Sequence, residues 1–163
     1  MRSSICFILL CFSYIASAAN SQASETPKSG KVATYKNWSV YVLEGPKTCW
    51  VEAILNEHGA ESRLRFTYFP NGGKREPSYY TSNKQIESGK LIIGRNAWDL
   101  LSIKTDTSWV KPEDDIDVFG GLWTGVNATV EITTTAGHVE PVKLFSLSGF
   151  AAASRDAQRR CGM

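Results

Sequence analysis

The stretch Ala128–Thr134 reads ATVEITT, and its side chains alternate in character: Ala128, Val130 and Ile132 on one side, Thr129, Glu131 and Thr133 on the other. A period of two marks a half-buried strand, because successive Cβ atoms point to opposite faces of a sheet. Working outward, short runs rich in β-branched and aromatic residues recur at Tyr35–Leu43, Cys49–Leu55, Leu64–Phe69, Leu91–Ile93, Trp98–Ile103 and Val142–Leu147. Turn chemistry bounds them at Gly45-Pro46, His58-Gly59, Asn71-Gly72-Gly73, Ser88-Gly89 and Ala136-Gly137. Many short strands with hairpin-length breaks predict a mainly β fold, a sandwich or small barrel, rather than a helical bundle.

Two segments read as helical. Pro112–Gly121 (PEDDIDVFGG) opens on Pro and acidic groups and is expected to stop at its paired glycines. In Gly149–Cys161, Ser148 is placed to cap, and Phe150, Ala153, Ala157 and Cys161 share one face. That face points Cys161 inward, toward Cys49 at the start of an early strand. The C-terminal helix is therefore expected to be tied to the sheet by a disulfide that closes a loop of roughly 110 residues. A rival reading, a catalytic Cys with a His partner, would need one thiol to stay reduced after export.

The export expectation comes from residues 1–18, MRSSICFILLCFSYIASA. One charge at Arg2, an apolar core and Ala16-Ser17-Ala18 make a cleavable signal peptide. Cleavage would remove Cys6 and Cys11, leaving Cys49 and Cys161 in an oxidising compartment. Residues 19–31 are small and polar and read as a flexible leader. Residues 32–163 then form one β-rich domain. The whole chain has 163 residues, with 18 basic and 16 acidic groups. That mixed balance speaks against a general nucleic-acid binder. After the signal no apolar run approaches the roughly 18 residues of a stable membrane span.

The sequence marks no catalytic constellation. His58 and His138 lie in separate turns, no Cys pair has zinc spacing, and neither metal nor cofactor is expected. Glu113, Asp114, Asp115 and Asp117 lack the alternation and central Gly of a calcium loop, and helix capping accounts for them. Ser148 follows a strand but lacks the Gly two residues earlier that a nucleophile elbow requires. Gly72-Gly73 and Gly120-Gly121 lack the spacing of a phosphate cradle. Trp38, Trp50 and Trp98 fall on strands and are expected in the core. Trp109 and Trp123, beside loops, and the pair Tyr79-Tyr80 are candidates for a partner surface. Asn37-Trp38-Ser39 and Asn127-Ala128-Thr129 match the glycosylation sequon.

Several of these features fall in a recognisable order. A signal segment precedes Trp38-Ser39-Val40, then Pro46-Lys47-Thr48-Cys49-Trp50-Val51 and Ala97-Trp98. The chain closes with Phe145-Ser146-Leu147-Ser148-Gly149-Phe150, Ala151-Ala152 and Arg160-Cys161. This pattern resembles the invasion-associated locus B family of small exported alphaproteobacterial proteins. The resemblance implies a β-rich periplasmic or cell-surface protein, linked in some pathogens to host-cell invasion, with no established enzymatic activity. It gives Trp38, Cys49, Trp98, Phe145, Gly149, Phe150 and Cys161 structural roles. The expected function is recognition of an envelope or host protein. A small secreted hydrolase using Asp/Glu acid–base chemistry and a carrier of a small apolar ligand are the alternatives.

Overall fold

The computed structural model describes residues 29–57, 59–71, 73–102 and 105–163. The expected signal segment, most of the leader and His58 lie outside the described residues. Strand β1 (Ser29–Tyr35) begins within the stretch read as leader and turns tightly into β2 (Trp38–Leu43). Strands β3 (Thr48–Glu57), β4 (Ala60–Phe69) and β5 (Lys74–Thr81) continue the meander. A second meander, β6 (Ile86–Ile93), β7 (Asn96–Ser102) and β8 (Thr107–Val110), runs back so that β8 pairs with β5. After one 3-10 turn, Pro112–Asp114, helix α1 (Asp115–Thr124) leads to β9 (Asn127–Thr134) beside β6. Strand β10 (Lys143–Ser146) adds to β9, and α2 (Phe150–Cys161) ends the fold.

All pairings are antiparallel, and the ten strands form one sheet in the order β1-β2-β3-β4-β5-β8-β7-β6-β9-β10. The sheet curls until its ends meet. The Asn37 N–H donates to Ser148 O at 3.4 Å, and Trp38 Nε1–H to Ser146 O at 3.1 Å. The Tyr79 and Phe145 rings meet edge to face inside, 6.3 Å apart, although β5 and β10 lie far apart in strand order. Helix α2 packs on β1 to β4. Its Phe150 ring stands against Trp38 at 4.9 Å and Phe66 at 6.0 Å. Phe150, Ala153, Ala157 and Cys161 are buried, as the spacing predicts, and Cys161 is bonded to Cys49 across 112 residues. The fold is mainly β, with a C-terminal helix tied to the sheet by this disulfide.

Three strands differ from expectation. The leader reading masked β1, which carries few apolar residues. β5 (KREPSYYT) carries charges and Pro77, which cannot donate to a ladder. Pro77 lies just outside the Ser78–Tyr80 segment that pairs with β8, and opposite Phe66 of β4. β8 is only four residues long and falls in a stretch read as loop. Helix α1 runs through Gly120-Gly121 to Thr124. A Cβ on Gly121 would lie 3.2 Å from the Trp98 ring, so a small residue there lets the helix approach the sheet closely. The α2 cap is Gly149 at φ 102°, not Ser148. A Cβ at Gly149 would collide with Tyr35 O, so only glycine fits that entry turn.

Candidate functional site

Because Cys49 and Val51 face the core, parity turns Trp50, Glu52 and Ile54 to the outer face of β3. Antiparallel register carries the same face across five further strands. One row runs Ser39, Glu52, Arg65, Ser78, Trp109, Leu101, and the next runs Ile54, Arg63, Tyr80, Thr107. Tyr41 and Trp50 are cross-strand partners whose rings stack 5.2 Å apart and nearly parallel.

These residues form a continuous ladder. The Arg65 guanidinium lies 5.2 Å from the Trp50 ring centre, and that of Arg63 lies 5.5 Å from the Tyr80 ring centre. Such cation–π contacts contribute roughly 0.5–2 kcal/mol each, depending on solvation. Glu52 is only 1% exposed although it points away from the core, because both arginines cover it. Arg65 donates through Nε and Nη2 to Glu52 Oε2 at 2.8 and 2.6 Å. Arg63 donates to Glu52 Oε1 at 3.4 Å and, through Nε and Nη2, contacts Glu61 Oε1 at 2.7 and 2.6 Å. Burial works against the Arg63 charge, but Glu61 and Glu52 outweigh it and raise its pKa. Above the ladder opens a cleft of about 240 Å³ lined by Arg63, Arg65, Ser78, Tyr80 and Thr107.

The structure thus brings two sequence candidates, Tyr80 and Trp109, onto one outer face, and adds Tyr41, Trp50, Arg63 and Arg65. It removes Tyr79 from the surface: its neighbour Tyr80 points out, so it points in, fully buried, and its hydroxyl donates to Ser62 Oγ at 3.2 Å. Trp109 lies within β8 rather than beside a loop. Trp123 lies elsewhere, on α1, packed on Phe119 at 5.3 Å and under the Arg155 guanidinium. Trp50, expected in the core, is half-buried on the outer face. Trp38, Trp98, Phe145 and Phe150 line the interior, and Asn37 and Asn127 are exposed.

A second cleft, about 600 Å³, lies between the β4–β5 turn and the start of α1, and Asp115 is the acid in its wall. Burial, with help from Glu76, Asp114 and Glu113, pushes the Asp115 carboxyl up to about 6 against the pull of Lys74. No cluster of three or more His, Cys, Asp or Glu among the described residues could hold a metal ion. Phe66, Tyr68, Tyr79, Phe145 and Phe150 are buried together in the core.

No protein-family model matches the chain, and neither does any curated protein. Among solved structures it is similar to the crystal structure of invasion associated protein B from Bartonella henselae. The match has a TM-score of 0.59 at 14% identity and covers 80% of this chain and 98% of the other. At that identity the likeness is one of fold.

Proposed function

We propose that the chain is an exported, non-enzymatic recognition protein of the invasion-associated locus B type, working in the periplasm or at the cell surface. Residues 1–18 would be a cleaved signal, followed by a short leader and the β-rich domain, whose first strand begins at Ser29. The observation that carries the reading is the outer-face ladder, in which Tyr41, Trp50, Tyr80, Trp109, Arg63 and Arg65 stand together on a rigid sheet. Trp, Tyr and Arg are the side chains that dominate protein-binding hot spots, and here the long arginines are already held by rings and carboxylates. The disulfide supports an oxidising compartment. The fold likeness to a protein named for invasion supports an envelope or host-facing role.

The test uses labelled, purified protein on envelope fractions of the source organism and on host cells. The Tyr80→Ala/Trp109→Ala variant should bind at least tenfold less while melting within a few degrees of wild type. Trp123→Ala, on another surface, should bind normally. Undiminished attachment of the folded double variant would defeat the reading.

A further inference from the structure

We propose that the outward face of α1 is a docking surface for a second copy of this chain, separate from the outer-face ladder. The helix buries Val118 and Leu122, while Ile116, Phe119, Gly120 and Trp123 follow one another at helical spacing along its other side. Ile116 is 73% exposed, and Phe119 and Trp123 are only partly covered. Gly120 is the unusual residue of this stripe. Glycine inside a helix weakens it relative to alanine, and at Gly121 the Trp98 ring packed against it gives the reason. Gly120 has no such neighbour: a Cβ there would meet nothing within 4 Å. A bare backbone in the middle of an apolar stripe suits the close approach of another helix.

Charge identifies the occupant. The Arg75 guanidinium lies 5.0 Å from the Phe119 ring centre, and that of Arg155 lies 5.2 Å from the Trp123 ring centre. Neither has a carboxylate partner among the described residues, and Arg75 Nε is buried with no acceptor. Lys74, beside them, is paired with Glu76. At the N-terminal end of the stripe, Glu113, Asp114 and Asp117 also make no ion pair among the described residues. Asp117 stands about 9 Å down the axis from Trp123, so within one chain the acids and Arg155 stay apart. A uniformly acidic partner, an anionic membrane included, would oppose those acids, and a basic one would oppose the arginines. An antiparallel second copy satisfies both. It sets the acidic end of each helix beside Arg155 of the other and Ile116 against Trp123, with Gly120 at the crossing, and two-fold symmetry makes every contact twice. A ten-residue helix is about 15 Å long, so such a pair covers roughly 1,000 Å² in total, the low end of specific interfaces. At the dilution of an attachment assay so weak a dimer is dissociated, and Trp123→Ala leaves ladder binding unchanged.

The test is analytical ultracentrifugation of the purified protein from about 10 µM to about 1 mM, with the Trp Nε1–H signals followed by NMR over the same range. The mean mass should rise toward that of a dimer, and the Trp123 signal should shift along the same isotherm. Ile116→Glu and Gly120→Gln should each weaken association at least tenfold. Gly120→Gln should also raise the melting temperature of dilute protein, because a better helix former replaces a glycine that touches nothing in its own chain. Arg155→Glu alone and Asp114→Lys/Asp117→Lys alone should each stay monomeric, while an equal mixture of the two should pair, since each charge then meets its opposite. A protein that is monomeric at about 1 mM would overturn the inference, as would a dimer that Ile116→Glu leaves intact or charge variants that fail to pair when mixed. If the Trp123 signal shifts only on phosphatidylglycerol vesicles, a lipid surface is the occupant and the second copy is ruled out.

Discussion

Replacing both bridged cysteines, Cys49→Ala with Cys161→Ala, should remove about 5 kcal/mol of stability. The figure comes from the sequence separation of 112 residues between the two sulfurs. In the chain-entropy treatment a loop of that length restricts the unfolded chain by roughly 16 cal/mol/K, which is about 4.8 kcal/mol at 25 °C. Loss of two buried sulfurs adds a smaller packing cost, since Cys49 is fully buried and Cys161 nearly so. For a domain of this size the melting temperature should fall by about 15 °C. Helix α2 should stay docked in the native variant, because Phe150, Ala153 and Ala157 remain buried against the sheet. The assay is urea unfolding of wild type with and without reductant, beside the double variant. Reductant and mutation should move the midpoint together, and the urea m-value should rise, because an unbridged chain exposes more surface when unfolded. A midpoint shift worth less than about 1 kcal/mol in both would refute the reasoning, since it would mean that the long loop costs the unfolded chain almost nothing.

Gly149→Ala should destabilise by about 3 kcal/mol or more, because its Cβ would meet Tyr35 O at 2.0 Å at a φ of 102°. Unfolding midpoints check this, and a change under about 1 kcal/mol would mean that the entry turn is not needed. Asp115→Asn should stabilise the protein at pH 8 and do little at pH 3.5. Burial holds the folded carboxyl at about 6, above its ordinary value of 3.8, so its favourable contribution is complete below 3.8 and lost as pH rises through 6. Partial solvent access reduces the gain at pH 8 to about 1 kcal/mol, and an equal effect at both pH values would sink the claim. Glu52→Ala should cost about 2 kcal/mol, because Arg65 and Arg63 lose a shared, covered partner. A double-mutant cycle with Arg65→Ala should show strong non-additivity, and simple additivity would dissolve the proposed ladder.

The parts of the fold legible in the sequence were those whose pattern is local. Ala128, Val130 and Ile132 are buried in β9 as their spacing demands, and the α2 face that carries Cys161 reads directly from its period. Strand β5 was hidden because Pro77 and three charges look like a loop, and only its place beside β4 and β8 makes it a strand. The site was half legible. Tyr80 and Trp109 stood out as aromatics near turn signals, but Arg63 and Arg65 read as the solvent side of a strand. Their partner Glu52 lies 13 residues from Arg65, and only the β3–β4 register makes them neighbours. Parity within Tyr79-Tyr80 was available and unused: two adjacent strand residues cannot both face outward.

That parity ties the covalent clamp to the outer ladder. With Cys49 held inside by Cys161, strand β3 has one orientation, and Trp50, Glu52 and Ile54 must stand outside. Register then passes the choice to Arg65 and Arg63 on β4, to Ser78 and Tyr80 on β5, and to Trp109 and Thr107 on β8. A slip of one residue in β3 would turn Glu52 into the aromatic core and expose Val51, a change that burial alone opposes by several kcal/mol. The disulfide adds to that opposition from a distance, since a slipped Cys49 would point away from α2. The bond is therefore more than a restraint on the unfolded chain. It fixes which set of side chains the six-strand face presents to a partner, and it does so from the opposite side of the sheet.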